Sequence, residues 1–171
     1  PFAKLFVYSA NQFVPTEPNE DELAFGFYIE GTGKKSDDSQ YFHWKSFRDR
    51  LQNGGPLREA LTAAMGKHDL FLTDYYQSRT TGGAWRGYFA SESGQLKWSS
   101  LRGKPARKDV TFEKIVEKVT GFDGKDWINL HVYSRMTKEE AIGMGKGVVD
   151  PIITVLSALC PVYQAVVGRQ A

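Results

Sequence analysis

Aromatic and β-branched residues are concentrated in two segments near the N-terminus. These segments, residues 3–14 and 22–31, read AKLFVYSANQFV and ELAFGFYIEG. Such residues favour the pleated, half-buried surface of a β-sheet. The Pro, Glu and Asn residues between the two segments are typical of a turn. The pattern therefore predicts an antiparallel pair of strands.

The next apolar residues recur at helical spacing. They form one predicted stripe: Tyr41, Trp44, Phe47 and Leu51. Ser39 precedes the stripe as a capping residue, and Asn-Gly-Gly at 53–55 ends it. Pro56 is typical of a first helical turn, and the helix that it begins runs to Met65. Two consecutive helices are therefore predicted.

In the middle of the chain, the sequence again has the pattern of β-strands. Residues 70–76, 84–90 and 95–101 have the composition of strands, and residues 91–94 predict a hairpin turn between the last two. Because side chains alternate along a strand, four hydrophobic residues are expected to point inward: Trp85, Phe89, Leu96 and Trp98. Three others are expected to face solvent: Arg86, Tyr88 and Lys97. A basic loop follows this hairpin.

The last third of the chain combines both spacings. An apolar stripe before Gly121 predicts a helix: Phe112, Ile115, Val116 and Val119. Residues 127–134, WINLHVYS, carry the strongest strand signal. Thr137 and Glu140 form a capping box that begins another helix. Asp150, followed by a proline, caps a last, apolar helix.

The order of these elements indicates the fold class. Runs of adjacent strands interrupted by helices are typical of α+β proteins. We predict a mainly antiparallel sheet of about six strands, with helices packed on one face and an apolar C-terminal helix. A chain of 171 residues is long enough for one well-buried core, so residues 1–171 are expected to form a single domain.

Composition narrows the class of protein. A hydrophobic share of 41% and a charged share of 25% are ordinary for a globular chain and argue against disorder. The single cysteine excludes an internal disulfide framework. Together with the lack of a basic-then-apolar leader at the start of the sequence, it favours a cytoplasmic location.

Charge is distributed unevenly along the chain. Residues 79–108 hold seven Lys or Arg and one acid, a net charge of +6, whereas residues 1–39 have a net charge of −4. Cations next to aromatic rings suit a polyanion with stackable bases. The leading hypothesis is therefore a module that binds RNA or single-stranded DNA. Its candidate contacts are Arg79, Arg86, Tyr88, Lys97, Arg102, Lys104, Arg107 and Lys108.

The strand at 127–134 suggests an alternative. Every second residue places a polar and aromatic set on one face: Trp127, Asn129, His131, Tyr133 and Arg135. The opposite face is aliphatic and belongs in the core. The polar face could be a ligand floor, or a sheet face that is solvated or covered by a helix. As a ligand floor it would support a nuclease-like toxin or effector enzyme, with His131, His43 and Arg135 as catalytic residues.

A short motif around His43 adds to this alternative. Tyr41-Phe-His43-Trp44 is similar to a Tyr-x-His-Trp segment of the secreted fungal ribotoxins. In that family the Tyr and His belong to the RNA-cleaving site, so the resemblance implies roles for Tyr41 and His43. It covers four residues, and those toxins are cross-linked by disulfides that one cysteine cannot form.

Neither a metal nor a cofactor is predicted. The three histidines, His43, His68 and His131, do not have the spacing of a zinc-binding helix, and Cys160 cannot complete a structural zinc site alone. Cys160 lies in the most apolar part of the chain, where a thiol is expected to be an inert core residue.

The apolar tail suggests a third function. Residues 148–167 carry one charge, Asp150, and approach the length of a bilayer span. Two prolines interrupt the segment, so a core or subunit-interface helix is favoured and no membrane partner is expected. A self-assembling homo-oligomer that uses residues 148–167, or a carbohydrate-binding protein with exposed rings, is the corresponding hypothesis.

Overall fold

The computed structural model describes residues 3–11, 21–32, 38–74, 85–100, 106–121 and 127–167. The described strands are β1 (Ala3–Asn11), β2 (Asp21–Thr32), β3 (Phe71–Asp74), β4 (Gly87–Glu92), β5 (Gln95–Ser100), β6 (Ala106–Asp109) and β7 (Trp127–Thr137). The described helices are α1 (Asp38–Asn53), α2 (Pro56–Lys67), α3 (Glu113–Thr120), α4 (Lys138–Met144) and α5 (Val149–Val167). A 3-10 turn, Gly145–Val148, joins α4 to α5.

All seven described strands belong to one sheet, in the order β1-β2-β7-β3-β4-β5-β6. Each neighbouring pair is antiparallel. Strand β7 comes last in the chain but lies in the middle of the sheet, where His131 is opposite Tyr28 of β2 and Thr73 of β3. The predicted α+β class with an antiparallel sheet is confirmed.

One face of the sheet, the helix-covered face, carries the hydrophobic core. Helices α1, α2, α3 and α5 all contribute fully buried side chains to it, among them Trp44, Leu61, Ile115 and Leu159. The sheet supplies the other half of the core from alternate strand positions: Phe25, Phe27, Ile29, Leu72, Phe89, Leu130 and Val132. The expected inward positions of Trp85, Phe89, Leu96 and Trp98 are part of this core or pack against it.

The opposite face, here called the second face, is also closely packed. Ala24, Tyr28 and Tyr133 are buried there and contact the partly buried Phe71 and Tyr88. Two residues of the polar face predicted on β7, His131 and Tyr133, are therefore enclosed and not solvated, since they are only 8% and 0% exposed.

The predicted basic loop after β5 is partly wrong. Four of its residues form the edge strand β6, whose sequence Ala-Arg-Lys-Asp has no hydrophobic alternation and is exposed at every position. Pairing with β5 holds this strand in place: Lys97 is opposite Asp109 and Ser99 is opposite Arg107. A charged, four-residue strand is a common way to protect a sheet edge from pairing with another chain.

Local signals set the turn between β4 and β5 and the start of α4. Ser93 and Gly94 have φ values of 49° and 79°, the double left-handed conformation of a two-residue hairpin turn. This turn lies at the end of the predicted four-residue span. The capping box of Thr137 and Glu140 is present as predicted. Asp150 is not a cap, because the 3-10 turn leads directly into α5 at Val149.

Helix α5 has a buried stripe and an exposed side. Val155, Leu159, Val162 and Val166 are buried against the core, whereas Val149 and Ile153 are exposed. By length and composition, the helical run Lys138–Val167 could cross a membrane. The stripe that packs against α2, β1 and β2 makes α5 part of the domain core in this structure.

Candidate functional site

The described basic candidates lie in the last two strands at the β6 end of the sheet, or just before β4. Arg86 immediately precedes β4, Lys97 lies in β5, and Arg107 and Lys108 lie in β6. Arg86, Arg107 and Lys108 are exposed, and Lys97 is half-buried. The other three cations, Arg79, Arg102 and Lys104, lie outside the described residues, in the sequence segments that join β3 to β4 and β5 to β6. We call the four described cations the basic edge.

Arg86 is presented by an unusual backbone conformation. Its φ is 48°, in the left-handed region that few residues other than glycine adopt. The preceding amide is anchored, because the Trp85 N–H donates a hydrogen bond of 2.9 Å to the buried Asp74 carboxylate. Trp85 itself packs edge-on against Phe89 in the core. A buried aspartate and a buried indole therefore hold the turn that exposes Arg86.

Two of the basic-edge residues share one carboxylate. Glu92 pairs with Lys97 at 3.1 Å and also with Arg107. The register of β4, β5 and β6 explains this cluster, since Ala90 is opposite Lys97 and Ser99 is opposite Arg107 on the same face. Glu92 therefore neutralises part of the charge on the second face and orients both cations. The net charge of +6 for residues 79–108 already includes Glu92, and two of the seven cations counted there are held by its carboxylate.

The helix-covered face of the same edge carries a second basic group around an indole. Lys108 is directly opposite Trp98, and Lys118 of α3 places its Nζ 4.6 Å from the centre of the Trp98 ring. Trp98 is half-buried and contacts Phe89. Gly87 lets the indole approach the backbone, because a Cβ there would lie 2.4 Å from the Trp98 ring. Cations consequently flank the β5–β6 edge on both of its faces.

Lys118 was missed by the sequence reasoning. It lies beside the buried stripe of α3, between Ile115 and Val119, and its position over Trp98 depends on how α3 packs against β5. The cation–π contact joins two residues that are twenty positions apart in the chain. The basic segment of the sequence, residues 79–108, does not include Lys118.

Tyr88, the predicted stacking residue, is only partly available. It is half-buried on the second face, and its ring centre lies 6.1 Å from that of Phe71. Phe71 in turn stacks on Tyr133 at 5.6 Å. Tyr88 therefore belongs to an aromatic cluster of the second face, whereas Trp98 is a ring directly opposite an exposed cation, Lys108.

Arg135, a candidate catalytic residue, is held within the second face. It pairs with Glu22 of β2, and the two side chains are only 17% and 9% exposed. Its guanidinium lies 4.7 Å from the centre of the Phe71 ring. The ion pair and the cation–π contact hold Arg135 among β2, β7 and β3, and removing either charged partner would leave the other charge buried and uncompensated.

His131 is enclosed by the same face. Its ring meets Tyr28 edge-on, with ring centres 5.5 Å apart. Burial disfavours the charged imidazolium and lowers the pKa of His131 to about 4. At neutral pH the imidazole is therefore uncharged, and a group with this pKa is a weak general base.

The two candidate histidines lie on opposite sides of the sheet. Helix α1, which contains His43, packs on the helix-covered face through Trp44, Phe47 and Leu51. The side chain of His131 points to the second face, because its neighbours Leu130 and Val132 belong to the core. The sheet thus separates His131 from the helix that carries His43.

The part of the chain that the structure describes contains no candidate metal-binding site. There, no three His, Cys, Asp or Glu side chains come together as a possible ligand set.

The fold is of the α+β class, with the seven described strands in one antiparallel sheet and the basic edge on its last strands. No protein-family model, curated protein or solved structure matches this chain.

Proposed function

We propose that this protein binds single-stranded nucleic acid along the β5–β6 edge of its sheet. One observation carries the proposal: cations flank this edge on both faces, with the half-buried indole of Trp98 between strand and helix. Lys97 and Arg107 lie on the second face, Lys108 and Lys118 on the helix-covered face. Arg86 extends the same positive surface to the start of β4.

This arrangement suits a flexible polyanion better than a compact anionic ligand. The four residues of β6 are all exposed, so the cations are spread along an accessible strand and do not converge on one pocket. A single strand can follow such an edge with its phosphates while one base contacts the exposed part of the indole. Contacts of this kind are tolerant of sequence and strongly dependent on salt.

The first test is the binding of a labelled twenty-nucleotide RNA, and of DNA of the same sequence, at low and at moderate salt. We expect the double variant Arg86→Ala/Lys108→Ala to bind more weakly than the wild type. The slope of log affinity against log salt is expected to fall by about 1.4, since each phosphate contact on a single strand contributes about 0.7. Fluorescence anisotropy provides the affinities.

Lys45→Ala is the matched control, because Lys45 is an exposed lysine of α1, outside the basic edge. It is expected to leave the salt slope unchanged. Salt-insensitive binding by the wild type, or an equal loss in Lys45→Ala, would contradict the proposal. Shortened RNA in the same samples would favour the nuclease-like alternative with His43, His131 and Arg135.

Glu92 provides a test with the opposite sign. Because its carboxylate pairs with both Lys97 and Arg107, Glu92→Gln is expected to release two cations for phosphate contacts. We expect the affinity for the RNA to rise about fivefold at low salt, with a steeper salt dependence. The same titration measures this change, and Glu117→Gln on α3, which removes the pairing partner of Lys114, serves as the comparison. A loss of affinity in Glu92→Gln would show that the carboxylate supports the binding surface.

A further inference from the structure

The two edges of the sheet are built in contrasting ways. Strand β6 is short, exposed and charged at three of four positions. Strand β1, at the other edge, is nine residues long and reads AKLFVYSAN, with one charge and no proline. Among the described residues β1 pairs only with β2. Long apolar edge strands present a row of backbone donors and acceptors to which another strand can pair.

We propose that β1 pairs with β1 of a second copy of this chain, forming a dimer with one continuous antiparallel sheet. The proposal does not depend on the proposed function, because β1 and the basic edge lie at opposite ends of the sheet.

The side chain of Val7 marks the centre of this edge. Val7 is 45% exposed although it lies on the helix-covered face, opposite the fully buried Phe25. Leu5, two residues earlier on the same face, packs against the core. The middle of this edge strand therefore carries an accessible apolar side chain, without the charge or proline that commonly protects a sheet edge from pairing.

The sequence of β1 is compatible with itself in this pairing. A two-fold axis at Val7 would place Val7 opposite Val7 of the second copy and Leu5 opposite Ser9. Lys4 would lie opposite Ala10, so the two lysines stay at opposite ends of the paired strands. Like charges therefore do not face each other, and β-branched side chains meet at the axis, which is a favourable cross-strand pair.

Helix α5 would add to the contact area. It lies against β1 and β2 on the helix-covered face, the same face as Val7. An axis at right angles to the sheet keeps the helices of both copies on one side, so the two α5 helices would flank the seam. Stable dimers bury more surface than a single strand pair provides. The exposed Ile153 of α5, 57% accessible, is available for this contribution.

Light scattering after gel filtration tests the proposal on the full chain. The wild type is expected to have twice the 19.2 kDa mass of one chain. Val7→Lys is expected to give a single-chain mass, because it sets two ammonium groups against each other at the axis. Ile142→Lys is the control: this residue is 69% exposed and lies beyond the end of β7. It is expected to remain dimeric.

If Val7→Lys fails to fold, a cross-linking experiment tests the pairing of the two β1 strands. Directly opposed residues of antiparallel strands have Cα atoms about 4.5–5.5 Å apart, within the range that a disulfide spans. Val7→Cys, made together with Cys160→Ser, is therefore expected to form an oxidised dimer in high yield, and Ile142→Cys in the same background is not. A monomeric wild type, an unaltered mass in a folded Val7→Lys, or equal cross-linking at both positions would overturn the proposal.

Discussion

Replacing Leu159 by alanine is expected to lower the free energy of unfolding by about 3 kcal/mol. Leu159 is fully buried in α5 and packs with the core residues of the helix-covered face. Truncating it removes apolar contacts and leaves a cavity that the surrounding helices and strands fill only in part. The effect is large for a chain whose total stability is expected to be about 5–15 kcal/mol.

Urea denaturation followed by tryptophan fluorescence measures this loss. Val149→Ala in the same helix is the matched control, because Val149 is 48% exposed at the start of α5 and its truncation is expected to cost less than about 0.5 kcal/mol. The comparison separates two roles for α5. If both variants were equally stable, α5 would not be part of the core. That result would favour a membrane-spanning role for α5, which its length and composition would allow.

The second large effect is a dependence of stability on pH that originates at His131. Its pKa is lowered to about 4 in the folded protein, from an ordinary value of 6.5, because the ring is buried. Between these two values the unfolded chain binds more protons than the folded one, so stability falls as the pH decreases. The full contribution is about 3 kcal/mol and is lost between roughly pH 7 and pH 4.

The groups around His131 determine how this effect is measured. Tyr28 and Thr73 lie opposite it, and the ion pair of Glu22 with Arg135 shares its face. Carboxylates also titrate in acid, so the wild type alone does not isolate the histidine. His131→Gln is expected to flatten the stability profile between pH 7 and pH 5, as measured by urea midpoints. His68→Gln, at a half-buried position after α2, should keep the wild-type profile; a His131→Gln profile as steep as that of the wild type would contradict the assignment.

The burial of His131 also bears on the enzyme hypothesis. A general acid at neutral pH must carry a proton that it can donate, and an imidazole with a pKa near 4 is uncharged there. The neighbouring Arg135 is already engaged by Glu22. The nuclease-like function stays a prediction from the sequence, and the nucleic-acid surface is the proposal that the described geometry supports best.

Local elements could be predicted because their signals are local. The stripe that includes Trp44 and Phe47 indicated α1, the capping box indicated the start of α4, and residues 91–94 indicated a hairpin, whose turn lies at Ser93 and Gly94. The alternation along β7 correctly separated Leu130 and Val132 from His131. Strand β6 escaped prediction because its residues have neither hydrophobic alternation nor strand propensity, and only pairing with β5 makes it a strand.

The candidate nucleic-acid surface was harder to predict than these elements, because it depends on contacts between residues that are far apart in the sequence. Glu92 and Arg107 are fifteen residues apart, yet the register of three strands brings them into an ion pair that also holds Lys97. Lys118 reaches Trp98 only because α3 packs beside β5. Composition identified a basic stretch, whereas the strand register decided which of its cations are neutralised.

The sequence by itself determined most of the elements, their alternating faces and the α+β class, since these follow from the spacing of neighbouring residues; strand β6 is the exception. Only the tertiary structure decided that β7 lies between β2 and β3, that His131 and Tyr133 are enclosed, and that the apolar strand β1 is left at an edge. The physical reason is the same in each case. Strand order and burial depend on pairing between residues far apart in the chain. No local pattern specifies which distant strand will pair with a given one.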